Sequence, residues 1–184
     1  LGMTVAACDN TNVAQMHEAS SVSWKRFIRF DVRLNEGERT ALNNALDMMW
    51  GHPVGRTIIS KAGTENPLTV KIDNAVEISS LDLERNTLSL GRGVHQMGHF
   101  CESDGRFEPV RLTEFLYHEM YHVAYHGSLK FDPYLLKDRE NEAVKATDQY
   151  RAAVTKTCPR QKYENNNFYR PPKFYNADIK GEYV

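Results

Sequence analysis

Between Pro109 and Gly127 the chain reads PVRLTEFLYHEMYHVAYHG, and this stretch restricts the fold more than any other. Its apolar residues recur at helical spacing, Pro109 suits the first position of a helix, and Gly127 suits the residue that ends one. At roughly 100° per residue, with Leu112 set at zero, Val123, Leu116 and Met120 fall near 20°, 40° and 80°, and Phe115 near 300°. That arc is the core-facing side, with Glu114, Tyr117 and Tyr121 opposite. Glu119 falls at about 340°, inside the core arc, while His122 and His118 sit on its edge at about 280° and 240°. A carboxylate among core side chains costs several kcal/mol unless something compensates. The helix therefore has to place Glu119 beside a compensating group.

His118-Glu119-Met120-Tyr121-His122 is an HExxH pentapeptide. Residues four apart on a helix stand about 5–6 Å apart at Cβ, so both imidazoles reach one ion. Zinc in such a site takes a third protein ligand and keeps a fourth position for water, and Glu119 is the natural base for that water. Three residues compete to be the third ligand. Glu142 lies in a second helical segment, near the edge of a stripe formed by Ala146, Tyr150 and Ala153. Glu140 is two positions away and about 160° round that helix, so only one of the pair can face the metal. His126 lies about 12 Å along the axis from His118 on a straight helix, too far to share the ion, and reads as a supporting imidazole. The string Asn141-Glu142-Ala143 and its offset of twenty from His122 resemble those of thermolysin-type gluzincins, a resemblance that favours Glu142. A weaker set, His95, His99 and Cys101, falls in a Gly-rich loop and lacks a fourth partner.

The remaining pattern is that of one α+β domain. With 184 residues the chain can build its own core. A net charge of −1 gives no footprint for nucleic acid or an anionic membrane, and no apolar run is long enough to span a bilayer. The three cysteines are scattered and odd in number, which argues against a disulfide framework and for a reducing compartment. Residues 1–23 read as a flexible N-terminal segment without a signal-peptide core, and residues 24–184 as the domain, with an irregular end after 157. Strands are expected at 27–32, 68–72 and 87–90. Helices are expected at 38–50, 109–127 and 136–154, with 55–61 either helix or strand. A developing oxyanion needs a donor besides the metal, and Tyr169 and Arg170 are the candidates.

The stretch Phe115 to Gly127, followed by Glu140-Asn141-Glu142 and by Glu164 to Arg170, resembles the NleD/HopH/XopG-like type III secretion effectors, a family of small gluzincin metalloproteases. The resemblance covers roughly residues 40–175. It implies a compact zincin-like domain with a small sheet and two long helices carrying one zinc on His118, His122 and Glu142, with Glu119 as base. It further implies a monomeric endopeptidase, delivered by a bacterial secretion system into host cytoplasm, that cuts a host protein. NleD-type members act on MAP kinases. The ending after Pro171 departs from the family pattern, which bears on the substrate and the oxyanion donor. Two other readings remain open, a peptidase toxin domain of a polymorphic toxin and a catalytically silent binding module.

Overall fold

A computed structural model describes residues 23–127 and 132–160. Tyr169 and Arg170 lie outside the described residues. Two small sheets and four main helices make an α+β fold. In chain order they are β1 (Ile28–Phe30), α1 (Glu36–Trp50), α2 (Pro53–Gly63), β2 (Leu68–Ile72), β3 (Ser79–Asp82), β4 (Thr87–Leu90), β5 (Gly98–Phe100), β6 (Phe107–Pro109), α3 (Leu112–Tyr121) and α4 (Leu136–Tyr150). Among the described residues no helix is long and apolar enough to cross a membrane.

The four-stranded sheet has the order β1-β2-β4-β3, with β1, β2 and β4 parallel and β3 antiparallel on the edge. The helices α1 and α2 form the crossover from β1 to β2. The start of α1 is fixed by a reciprocal cap, in which Asn35 Oδ1 accepts from the Glu38 amide and Glu38 Oε2 accepts from the Asn35 amide, both at 2.8 Å. Pro53 opens α2 at a position where its missing N–H costs nothing. Gly55 lets α2 close on the end of α1, since a Cβ there would lie 2.0 Å from the Met49 carbonyl oxygen.

Leu42, Leu46 and Met49 of α1, Ile58 and Ile59 of α2, and Leu68, Val70, Leu88 and Leu90 of the sheet are buried together with Leu116 and Met120 of α3. The apolar arc read from the sequence is therefore real, but α3 is covered on its other side as well. Glu114 and Tyr117, expected opposite the core, are both buried, because α4 packs there. Tyr117 stacks on Tyr150 with ring centroids 4.6 Å apart, and Tyr150 Oη lies 2.5 Å from Thr113 Oγ1. The expected helix start is also corrected. Pro109 ends β6, paired with Gly98, and α3 begins only at Leu112. At the far end α3 runs on as a π-helical turn, His122–His126, and α4 does the same over Arg151–Thr155.

The expectation of unpaired cysteines is overturned by a disulfide between Cys101, just after β5, and Cys158, beyond α4. Their separation of 57 residues carries no local signal, and only the folded chain brings them together.

Candidate metal centre

The end of α3 presents His118 and His122 toward the second turn of α4. His118 Nε2 is 3.2 Å from Glu140 Oε2, His122 Nε2 is 3.2 Å from Glu140 Oε1, and the two Nε2 atoms are 3.2 Å apart. These residues form a group able to hold a metal ion. Donors bound about 2 Å from one tetrahedral ion stand roughly 3.3 Å apart, so the observed spacing fits a single small cation. The two imidazoles and one carboxylate also make the donor set of a three-ligand zinc site.

Glu140, not Glu142, completes this group. Glu142 is 62% exposed at its side chain and instead meets His126, with Oε2 2.9 Å from His126 Nε2. The reason is angular: the two glutamates project from different sides of α4, and the docking of α4 on α3 turns Glu140 inward. His126 is the buried supporting imidazole that its position suggested. Its Nδ1 lies 2.9 Å from His122 Nδ1. With both rings neutral, one proton arrangement satisfies this chain. With a cation at the centre, Glu142 would accept from His126 Nε2, His126 Nδ1 from His122 Nδ1, and His122 Nε2 would turn its lone pair to the cation. On the other ring, Thr147 Oγ1 stands 3.5 Å from His118 Nδ1 and donates to the Ala143 carbonyl at 2.7 Å. Each histidine is thus approached at Nδ1 by a polar group that leaves Nε2 directed at the centre.

Burial dominates the electrostatics. It depresses His118 to about 4, against the opposing hydrogen bond that its protonated ring donates to Glu140. Burial alone would lower His122, but the hydrogen bond and charge of Glu140 raise it. Burial would raise Glu140, yet its contacts with His118 and His122 hold it well below the usual carboxylate range. Glu119 is pushed up to about 7, first by burial and then by the Glu140 charge, while His122 and Ser79 pull it down. Ser79, at the start of the edge strand β3, donates from Oγ to Glu119 Oε1 at 3.2 Å. Nothing in the sequence around Ser79 pointed to this contact, because it depends on β3 being carried to the side of α3.

Behind the site a buried polar clamp fixes α3 to the end of α4. Glu114 accepts from Thr155 Oγ1 at 2.7 Å, Thr157 Oγ1 at 2.6 Å and Arg151 Nε at 3.4 Å. Arg151 also donates to Asp148 at 2.7 Å. Of the weaker sequence set, His99 and Cys101 come together, joined by Glu108 and Cys158, whereas His95 takes no part in that group.

The arrangement can bind one divalent cation through two nitrogens and a carboxylate, with a second, partly buried carboxylate, Glu119, beside it on the helix. No protein-family model, no curated protein and no solved structure matches the chain.

Proposed function

We propose that the chain is a zinc-dependent peptidase, with His118, His122 and Glu140 as metal ligands and Glu119 as the acid–base residue. The observation that carries the reading is the triangle of donor atoms 3.2 Å apart directly beside a glutamate whose proton affinity burial has raised to about 7. A group poised near neutral pH can both take and return a proton, which is what a general base that later serves as an acid requires. A bound zinc ion would supply Lewis acidity and make water a better acid at that position. Glu119 takes the proton from the attacking water and delivers it to the leaving amine. Ser79 holds the Glu119 carboxylate in place through Oε1. The chain Glu142–His126–His122 and the Thr147 hydroxyl orient the two imidazoles. A peptide substrate is favoured because β3, an edge strand of the sheet, carries Ser79. An extended chain can add to such an edge by main-chain hydrogen bonds and arrive beside Glu119.

A host protein as target, MAP kinases among them, and delivery by a secretion system follow from the sequence resemblance alone and belong to the proposal on that footing. The alternative of a silent binding module predicts bound zinc or none, and no turnover with Glu119 intact.

The test is metal content with hydrolysis of a protein substrate, under non-reducing conditions, for wild type and three variants. We expect one zinc per wild-type chain, and loss of zinc in Glu140→Ala. Glu119→Gln should retain zinc and lose turnover by about 10²–10⁴-fold. Glu142→Ala should retain zinc with affinity weakened about 10–100-fold. Full turnover in Glu119→Gln would overturn the mechanism, and zinc retained undiminished in Glu140→Ala would overturn the ligand set.

A further inference from the structure

A second group of ligand-type side chains lies where the β5–β6 hairpin meets the segment after α4. His99 belongs to β5, Cys101 follows it, Glu108 is in β6, and Cys158 approaches from beyond the π-helical turn of α4. One donor atom from each lies within 4.8 Å of the others. His99 is 3% exposed, with Nε2 3.2 Å from both the carbonyl oxygen and Sγ of Cys158. Its Nδ1 is buried without a hydrogen-bond partner among the described residues. The Cys158 carbonyl can accept from Nε2, so the unserved atom of this buried ring is Nδ1, a free lone pair of the kind a metal ligand needs. Glu108 is engaged at Oε1 by Arg106 Nη2 at 2.8 Å, while Oε2 faces the Cys158 amide at 3.5 Å.

The backbone holds the two sulfur carriers together independently of the disulfide. The Glu102 amide donates to the Pro159 carbonyl at 2.8 Å, the Cys101 amide donates to the Arg106 carbonyl at 2.8 Å, and Cys101 and Arg160 form an isolated bridge. Gly98 keeps the hairpin closed, since a Cβ there would fall 2.0 Å from the Phe107 ring. Opening the sulfur–sulfur bond therefore leaves both cysteines beside His99. Two sulfurs on a tetrahedral zinc stand roughly 3.8 Å apart, a separation that side-chain rotation reaches from a Cα–Cα distance of 5.6 Å.

We propose that reduction of Cys101–Cys158 creates a second metal site, in which the two thiolates, His99 and Glu108 bind a zinc-like divalent cation. The chain thus alternates between a disulfide and a metal thiolate at one place. A dithiol reductant transfers two electrons and two protons to the bridge, giving two thiols and the reductant's own disulfide. The cation then displaces both thiol protons to solvent. Sulfur with nitrogen and oxygen donors suits zinc or cobalt rather than magnesium or calcium.

Cobalt(II) is the probe, because thiolate ligation gives a near-ultraviolet charge-transfer absorption that histidine and carboxylate ligands do not. The measurement uses the full chain in a Cys8→Ser background, so that only Cys101 and Cys158 supply sulfur. Thiol titration counts the free thiols and circular dichroism verifies the fold. We expect the absorption on adding cobalt to the reduced chain, none with the oxidised chain, and its displacement by zinc. It should fall in Cys158→Ser and persist when His118 and His122 are both replaced by alanine, which separates this site from the one on α3. His99→Ala should weaken cobalt binding at least tenfold. A folded, fully reduced chain showing no such absorption would overturn the proposal without recourse to any variant at this site. Absorption unchanged in Cys158→Ser would also overturn it.

Discussion

Glu119 is held between burial, which favours its neutral form, and His122, whose charge favours the anion. In the metal-free chain its carboxyl sits near 7 against an ordinary 4.5. Below the ordinary value both folded and unfolded chains are protonated there, and Glu119 has no effect on stability. As pH rises through about 7 the folded chain must ionise a carboxyl the unfolded chain has already ionised, so stability is lost. Glu119→Gln removes that liability. We expect the variant to match wild type near pH 4 and to exceed it by about 1–3 kcal/mol above pH 8, read from denaturant midpoints in chelator. A pH-independent difference would mean that Glu119 does not titrate in this way. At this scale the histidines and Glu119 were legible because they share one helix, where spacing decides geometry. Glu140 and Glu142 were not separable in the same way, since the choice between them depends on how α4 docks. His126 supplied the hidden reason, by taking Glu142 for itself.

At the scale of elements, α3 is held from both sides. One side is the apolar packing that periodicity reveals, and the other is the clamp of Glu114 with Arg151, Thr155 and Thr157. Glu114→Ala takes the shared acceptor from Thr155, Thr157 and Arg151, with Asp148 still holding Arg151, and should cost about 2–4 kcal/mol in chemical denaturation. Thr155→Val, which removes one neutral donor, should cost about 1–2 kcal/mol. A Glu114→Ala cost below that of Thr155→Val would show that Arg151 finds other partners. The helical wheel set Glu114 opposite the core because a wheel knows one burial face, and α4 provides a second. The bounds of β2 and β4 were legible in their apolar residues. The strand β3 was not: three of the four residues of Ser79–Asp82 are polar, and the segment becomes a strand through its pairing with β4. The strands β5 and β6 are three residues each, too short for any period to register.

For the molecule as a whole, the disulfide closes a loop across 57 residues that contains α3, α4 and the candidate metal centre. Cross-linking a loop of that length restricts the unfolded chain, a contribution of about 2–4 kcal/mol. Reduction in the presence of chelator should lower the denaturant midpoint accordingly, and added zinc should restore part of the loss if the thiolates capture it. A midpoint indifferent to reduction would show that the backbone contacts around Cys101 and Arg160 carry this junction alone. The α+β class was readable from the order of elements. The corner that Cys101 and Cys158 share was not, because neither residue has a neighbour in sequence that marks it.

The donors of the candidate centre on α3 and α4 come from one antiparallel helix pair, and His118 and Glu140 are only 22 residues apart. By contrast β1 meets β2 through Ile28 and Leu68, a separation of 68 − 28 = 40, and Thr113 reaches Ala45 across 68. Short loops close sooner and at less entropic cost than long ones. The helix pair can therefore come together before β1 finds its register on β2. In kinetic terms the helix pair and the β2–β4 pair, whose partners Thr69 and Thr87 are 87 − 69 = 18 apart, are places from which folding can start, and β1 is the strand that closes the sheet late.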